Sequence, residues 1–113
     1  AAADENLRAA RIDGVRLVQG DALAVAPPRG LSLVLTNPPL GRRVRRDAEL
    51  KETLARFVAR VGAALVPGGR LVWIAPHAHV ARREASRVGL ELVRSWTVDL
   101  GGFSCEIQRF ERR

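Results

Sequence analysis

Leu31-Ser32-Leu33-Val34-Leu35-Thr36-Asn37-Pro38-Pro39-Leu40-Gly41 is the stretch from which the rest of the chain can be placed. The apolar-rich run Leu31 to Leu35, set between Pro28-Arg29-Gly30 and Pro38-Pro39, has the pattern of a short buried parallel strand. Proline has no N–H for a ladder and fixes φ at about −65°, so the pair stops the strand and stiffens the turn after it. Asn37 is therefore expected at the tip of a rigid turn at a strand's carboxyl end, the edge where open α/β sheets bind ligands. The Asn37 side-chain oxygen and the Pro38 carbonyl are both suited to accept hydrogen bonds from one planar NH2 group. The stretch reads as a site as well as a turn.

Upstream, Ala1 to Arg11 holds strong helix formers with Ala3, Leu7, Ala9 and Ala10 on one side, and Asp13-Gly14 is expected to stop that helix, with Gly14 as a left-handed cap. Val15 to Val18 is expected as a short strand ending at Gln19-Gly20-Asp21-Ala22, a second strand end with an acidic residue at its tip. Ala24 to Gly30 is a proline-containing connector. Downstream, Gly41 to Asp47 forms a basic loop carrying Arg42, Arg43, Arg45 and Arg46. Leu50, Leu54, Phe57, Val58, Val61 and Leu65 keep helical spacing over Ala48 to Leu65, with Lys51, Glu52, Arg56 and Arg60 on the other side and Pro67-Gly68-Gly69 as the stop. A buried strand (Arg70 to Ala75), a helix (His77 to Val88) and a hairpin (Leu90 to Leu100 with Phe103 to Phe110, turning at Asp99-Leu100-Gly101-Gly102) complete the order. In the last strand Phe103, Cys105 and Ile107 alternate with Ser104, Glu106 and Gln108, which predicts that the first set is buried.

The chain has 113 residues, 47% of them hydrophobic, enough for one ordinary core and no second domain. No apolar stretch approaches the ~20 residues of a membrane span and no leader pattern is present, so a cytoplasmic protein without membrane contact is expected. The single Cys105 reads as a small buried hydrophobe, and no Cys/His cluster has metal spacing. The net charge of +7 suits a polyanionic partner. Lys51 is the only lysine, however, and the excess of Ala, Arg, Gly and Pro is also what GC-rich codons produce. The four arginines of the 41–47 loop are the better phosphate candidates because they are local to the site; Arg109, Arg112 and Arg113 form a weaker patch expected as a tail. His77 and His79 lie near the ligand edge and read first as a polar helix entrance, second as a substrate contact. Trp73 is expected in the core, whereas Trp96 fits core or surface.

Strand, Gly20-Asp21-Ala22, strand, Asn37-Pro38-Pro39-Leu40, helix, Pro67-Gly68-Gly69, strand, helix and closing hairpin together resemble the class I S-adenosylmethionine-dependent methyltransferases. Thr36 to Arg43 in particular is similar to the motif of the RNA guanine-N2 methyltransferases that often carry a THUMP domain. The resemblance implies an α/β, Rossmann-like three-layer sandwich with a mostly parallel sheet and a carboxyl-terminal antiparallel β-hairpin. Residues 1–113 would be the carboxyl-terminal part of that single domain, with its first strands and glycine-rich cofactor turn missing. It implies S-adenosyl-L-methionine as cofactor, Asp21 and Ala22 at its adenine, and Asn37 beside both cofactor and substrate. Asn37 and the Pro38 carbonyl would accept the two N–H groups of an exocyclic amine, Pro39 and Leu40 would complete the catalytic motif, and Gly41, Arg42, Arg43, Arg45 and Arg46 would meet RNA, tRNA first and rRNA second. Leu40 stands where that family usually has an aromatic residue, which loosens the substrate assignment. An adenine-N6 methyltransferase on DNA or RNA and a protein-glutamine methyltransferase share this geometry; a non-catalytic nucleic-acid-binding module is the reading from another class. Unpaired strand edges would also favour a homodimer.

Overall fold

A computed structural model describes residues 2–21, 24–25, 27–37, 47–75, 78–99, 101–102 and 104–113. The elements are α1 (Ala2–Ala9), β1 (Leu31–Thr36), α2 (Asp47–Ala64), β2 (Leu65–Ala75), α3 (Ala78–Arg87), β3 (Leu90–Asp99) and β4 (Ser104–Arg112). The four strands form one sheet in the order β1-β2-β4-β3. β1 and β2 are parallel, and β4 is antiparallel to both β2 and β3. This is the carboxyl-terminal side of a Rossmann-like α/β fold: a parallel pair, its crossover helix, and an antiparallel hairpin.

The core is written in α2. Leu54, Val58 and Val61 recur at the spacing that lines one helix face, and all three are buried. They meet Leu71, Trp73 and Ala75, the alternate residues of β2, with Ala81 and Ala85 of α3 and Phe110 of β4. Phe57 stacks on Trp73 with ring centroids 5.5 Å apart and planes 20° from parallel. Burying side chains of this size contributes roughly 1.5–3 kcal/mol each relative to exposure. Both helices thus cover one face of the sheet.

The turn after α2 differs from the expected helix stop. The helix ends at Ala64, and Leu65 already pairs with Leu31 before the register jumps to Leu33 opposite Arg70. Val66 to Gly69 are extra residues looped out of a parallel ladder. Gly68 takes φ +82°, and a Cβ on Gly69 would sit 2.8 Å from the Val66 carbonyl oxygen and 3.0 Å from that of Leu31. Two glycines are therefore required for a bulge inside the sheet, not for a helix cap.

Four further expectations are corrected. Val15 to Val18 forms no strand; Val15, Leu17 and Val18 are each about half exposed, and the segment has no ladder partner among the described residues. Strand preference is largely a preference for a neighbour, and a short apolar run without one stays irregular. The cap of the first helix falls on Arg11, not Gly14. Ile12 N–H bonds the Leu7 carbonyl at 2.9 Å and Arg11 N–H that of Arg8 at 3.0 Å, a Schellman pair with Arg11 at φ 54°. Finally, Gln108 is completely buried on the helix-covered face while Ile107 is only half-buried on the other. Arg109 and Arg112 belong to β4 and are not a tail.

Gln108 is inside because its neighbours need it. Trp73 Nε1 donates to Gln108 Oε1 at 3.0 Å, and Gln108 Nε2 donates to the Ala78 carbonyl at 3.1 Å and to Glu106 at 3.3 Å. Glu106 in turn pairs with Arg82 of α3. A buried amide with each end satisfied rigidifies rather than destabilises. This network ties the start of α3 to the middle of the sheet, next to the carboxyl end of β2.

Candidate active site

β1 ends where the sequence predicts, with Thr36 opposite Trp73 in the ladder and Asn37 the next residue, exposed at the carboxyl edge. Leu31 and Val34 of β1 pack on the core and hold the strand in place. Asn37 is thus carried by a strand anchored to the α2 core. The motif residues Pro38, Pro39 and Leu40, the loop residues Gly41, Arg42, Arg43, Arg45 and Arg46, and also Ala22 and His77, lie outside the described residues.

Asp21 sits in the wall of a cavity of about 600 Å³ between the 16–28 segment, β1 and α2. Val18, Pro27, Leu31, Val34 and Phe57 supply its apolar lining, with Arg16 and Arg60 at its polar part. The Asp21 carbonyl accepts from Ala24 N–H at 2.9 Å and Val25 N–H at 2.8 Å, closing one helical turn, and the residue makes a further interaction of its own. Arg60 Nη2 donates to the Val25 carbonyl at 3.0 Å, fastening the connector to α2. Sequence reading placed Arg60 on the solvent side of α2, because nothing in helical spacing shows that a connector crosses there. Asp21 and Asn37 flank β1, one before and one after it; Asn37 is not among the described lining residues of the cavity. His79 is exposed in the first turn of α3 and has its own partner.

Asp21 thus shares the cavity with apolar groups and with Arg16 and Arg60. The described residues present no cradle for the methionine end of S-adenosyl-L-methionine. Among the described residues no group of His, Cys, Asp and Glu is arranged for a metal, and no helix is long and apolar enough to cross a membrane.

A parallel β–α–β unit with an exposed Asn37 at the first strand's carboxyl edge, followed by an antiparallel hairpin, is the arrangement that the resemblance to the class I S-adenosylmethionine-dependent methyltransferases implies. The sequence matches the family model Methyltransferase small domain over residues 1–91, and the chain belongs to that family. Among solved structures it is similar to TrmN from Thermus thermophilus, with 25% identity and a TM-score of 0.80 over 98% of this chain and 32% of that one. TTHA0409, also from Thermus thermophilus, a candidate DNA modification methylase complexed with S-adenosyl-L-methionine, shares 20% identity with a TM-score of 0.63, covering 82% of this chain and 51% of its own. The N-methyltransferase NodS from Bradyrhizobium japonicum WM9, in complex with S-adenosyl-L-homocysteine, gives 15% and 0.68 over 98% and 61%. The latter two likenesses are of fold. No curated protein matches the sequence. The chain spans about a third of TrmN and about half of TTHA0409. The cofactor that goes with the family is S-adenosyl-L-methionine.

Proposed function

We propose that the chain is the carboxyl-terminal part of a methyltransferase domain that methylates an exocyclic amine of RNA, guanine N2 of tRNA being the favoured target. The observation that carries the reading is Asn37, exposed at the carboxyl edge of β1 directly before Pro38-Pro39 in the sequence. An exocyclic amine is a poor nucleophile because its lone pair is delocalised into the ring. The Asn37 side-chain oxygen and the Pro38 carbonyl accept its two N–H bonds, which directs the lone pair and stabilises charge developing on nitrogen. The cofactor supplies an electrophilic methyl group when bound. Asp21, with Ala22 beside it, accepts from the cofactor's adenine amine, while Gly41, Arg42, Arg43, Arg45 and Arg46 contact RNA phosphates. Support comes from the net charge of +7, the family match, and the likeness to TrmN over nearly the whole chain. A cytoplasmic location accords with such a substrate, and the outer edge of β1, which has no ladder partner among the described residues, accords with a homodimer.

A second reading, adenine N6 in DNA or RNA, shares this geometry and is supported by the likeness to TTHA0409. Methyl-labelled S-adenosyl-L-methionine offered with separate pools of tRNA, rRNA, DNA and protein decides between them. Label in N2-methylguanosine is the expected result, and label in N6-methyladenine moves the substrate while keeping the mechanism. In the complete protein Asn37→Ala should remove transfer at least a hundredfold and leave cofactor affinity nearly unchanged, whereas Asp21→Ala should weaken cofactor affinity first. Equal loss of both properties in Asn37→Ala would make that residue structural.

A further inference from the structure

Thr36 of β1, Trp73 of β2, Gln108 of β4 and Ser95 of β3 are successive partners across the four strands and form one row of the sheet. Side chains of one row share a face, and the core residue Trp73 places this row under the helices. A bulge between Leu92 and Arg94 resets β3, so that Ser95 joins this face while Arg94 and Trp96 take the other. The row lies at the carboxyl edge: Asn37 follows Thr36 directly, and β2 ends two residues beyond Trp73, at Ala75. At its centre sits Gln108, the one polar side chain that is buried among the described residues.

A buried tryptophan–glutamine pair is not what packing alone demands. Such a hydrogen bond returns little net stability, and an apolar pair of the same shape can be nearly neutral in its place. What the amide adds is direction. Its oxygen accepts from Trp73 Nε1 and fixes the indole, which Phe57 stacks on from α2. Its nitrogen donates to the carbonyl of Ala78, the first residue of α3. Glu106, two residues before Gln108 and on the same face, pairs with Arg82, one helical turn after Ala78. The first turn of α3 is thereby held to β4 at two points, and the same amide holds the indole that stands opposite Thr36. All of these contacts lie on the helix-covered side of the sheet.

β1 and β2 are adjacent parallel strands, about 4.8 Å apart, so their carboxyl ends open side by side. An amine held by Asn37 therefore has the connection from β2 to α3 as its neighbour. The Gln108 amide reaches the root of both segments: that of Asn37 through Trp73 and Thr36, and that of α3 through Ala78. A displacement of about 1 Å in such a support can cost about a hundredfold in rate. We infer that Gln108, with Trp73, is a positioning residue for methyl transfer, its buried amide setting Asn37 against the start of α3 and with it the presentation of the target amine. The inference rests on the reading of Asn37 as the residue that orients the substrate.

The test is single-turnover transfer by the complete protein, below the melting transition of every variant, from methyl-labelled S-adenosyl-L-methionine to the pool that wild type labels, tRNA being expected. Gln108→Leu should slow transfer about tenfold or more at saturating cofactor and leave cofactor affinity within about twofold. Trp73→Phe with Gln108→Leu removes donor and acceptor together, so it should melt close to Gln108→Leu or above it, yet transfer should stay slow. Leu90→Ala is the control, because it opens a cavity in the core at the amino end of β3, the far end of the sheet from Asn37. It should lower the melting temperature at least as much as Gln108→Leu and leave transfer within about twofold. Without any substrate, order parameters of the Asn37 and Ala78 amides from nitrogen relaxation should fall in Gln108→Leu and hold in Leu90→Ala. Equal slowing in the two variants, a double variant that regains the wild-type rate, or unchanged order parameters at both amides overturns the positioning role and leaves the reading of Asn37 intact. If wild type labels no pool, or Asn37→Ala transfers as fast as wild type, the reading of Asn37 falls and the inference with it.

Discussion

Residues 2–37 and residues 47–113 of this chain are built on different terms. Every buried residue among those described lies in the second region, from Leu54 to Phe110, and none lies in the first. The second region has two helices, the long strand β2 and the β3–β4 hairpin, which close on one another. The first has a short helix that buries nothing, an irregular stretch of exposed apolar residues, and a strand whose Leu33 and Leu35 are 52% and 73% exposed. Yet both residues of the candidate site, Asp21 and Asn37, belong to the first region, Asn37 at its end, directly after the strand that the second region anchors. Asn37, proposed to orient the substrate, therefore follows a core-anchored strand, and Asp21, proposed to face the cofactor, lies on a local turn. Cofactor affinity should be the softer of the two properties, more readily lost to changes that leave the core intact.

The largest effects should separate the two regions. Phe110→Ala empties a site that is 1% exposed in the middle of the core and should cost roughly 3–5 kcal/mol in denaturant unfolding. Leu17→Ala, at a residue about half exposed, should stay within about 0.5 kcal/mol. Comparable losses from the two substitutions would break the comparison, because Leu17 would then belong to a core. A middle-sized effect belongs to Gln108→Leu. The replacement strands the buried Trp73 Nε1–H and the Ala78 carbonyl, at a cost of about 1–3 kcal/mol. Loss of protection from amide exchange should concentrate at the start of α3. A uniform loss over the whole sheet would show that the network does not fasten α3 locally.

What the sequence revealed depends on where a residue's environment is decided. β1 and its Asn-Pro-Pro end were legible because an apolar run bounded by prolines constrains its own backbone. Helix α2 was legible because its core-facing residues keep one period over many turns. The Val15–Val18 segment was not, since a strand needs a partner that no local pattern supplies. Gln108 was misplaced because alternation gives two faces and not which one the helices cover; the indole N–H of Trp73, opposite it, decides that. Trp96 and Arg94 were set by a bulge, a single-residue insertion that residue types alone do not mark. Asn37 was therefore the readable part of the site, and the cavity around Asp21, which depends on how the connector crosses α2 through Arg60, was the unreadable part.

The smallest expected effect sharpens the comparison from the weaker region. Arg11 holds a left-handed φ of 54° to close the Schellman pair behind α1, a conformation that costs a residue with a Cβ roughly 1 kcal/mol. Gly14, three residues on, has the permissive backbone but no helix end to close. Arg11→Gly should then raise the helicity of α1 and add roughly 0.5–1 kcal/mol locally, part of the gain being offset by the greater freedom of glycine in the unfolded chain. Because α1 buries nothing against the sheet, that gain should appear as slower amide exchange at Leu7 to Ile12 and leave the global denaturant midpoint almost unmoved. A matching rise in the midpoint would mean that α1 and the sheet unfold together, and the division between the two regions would disappear.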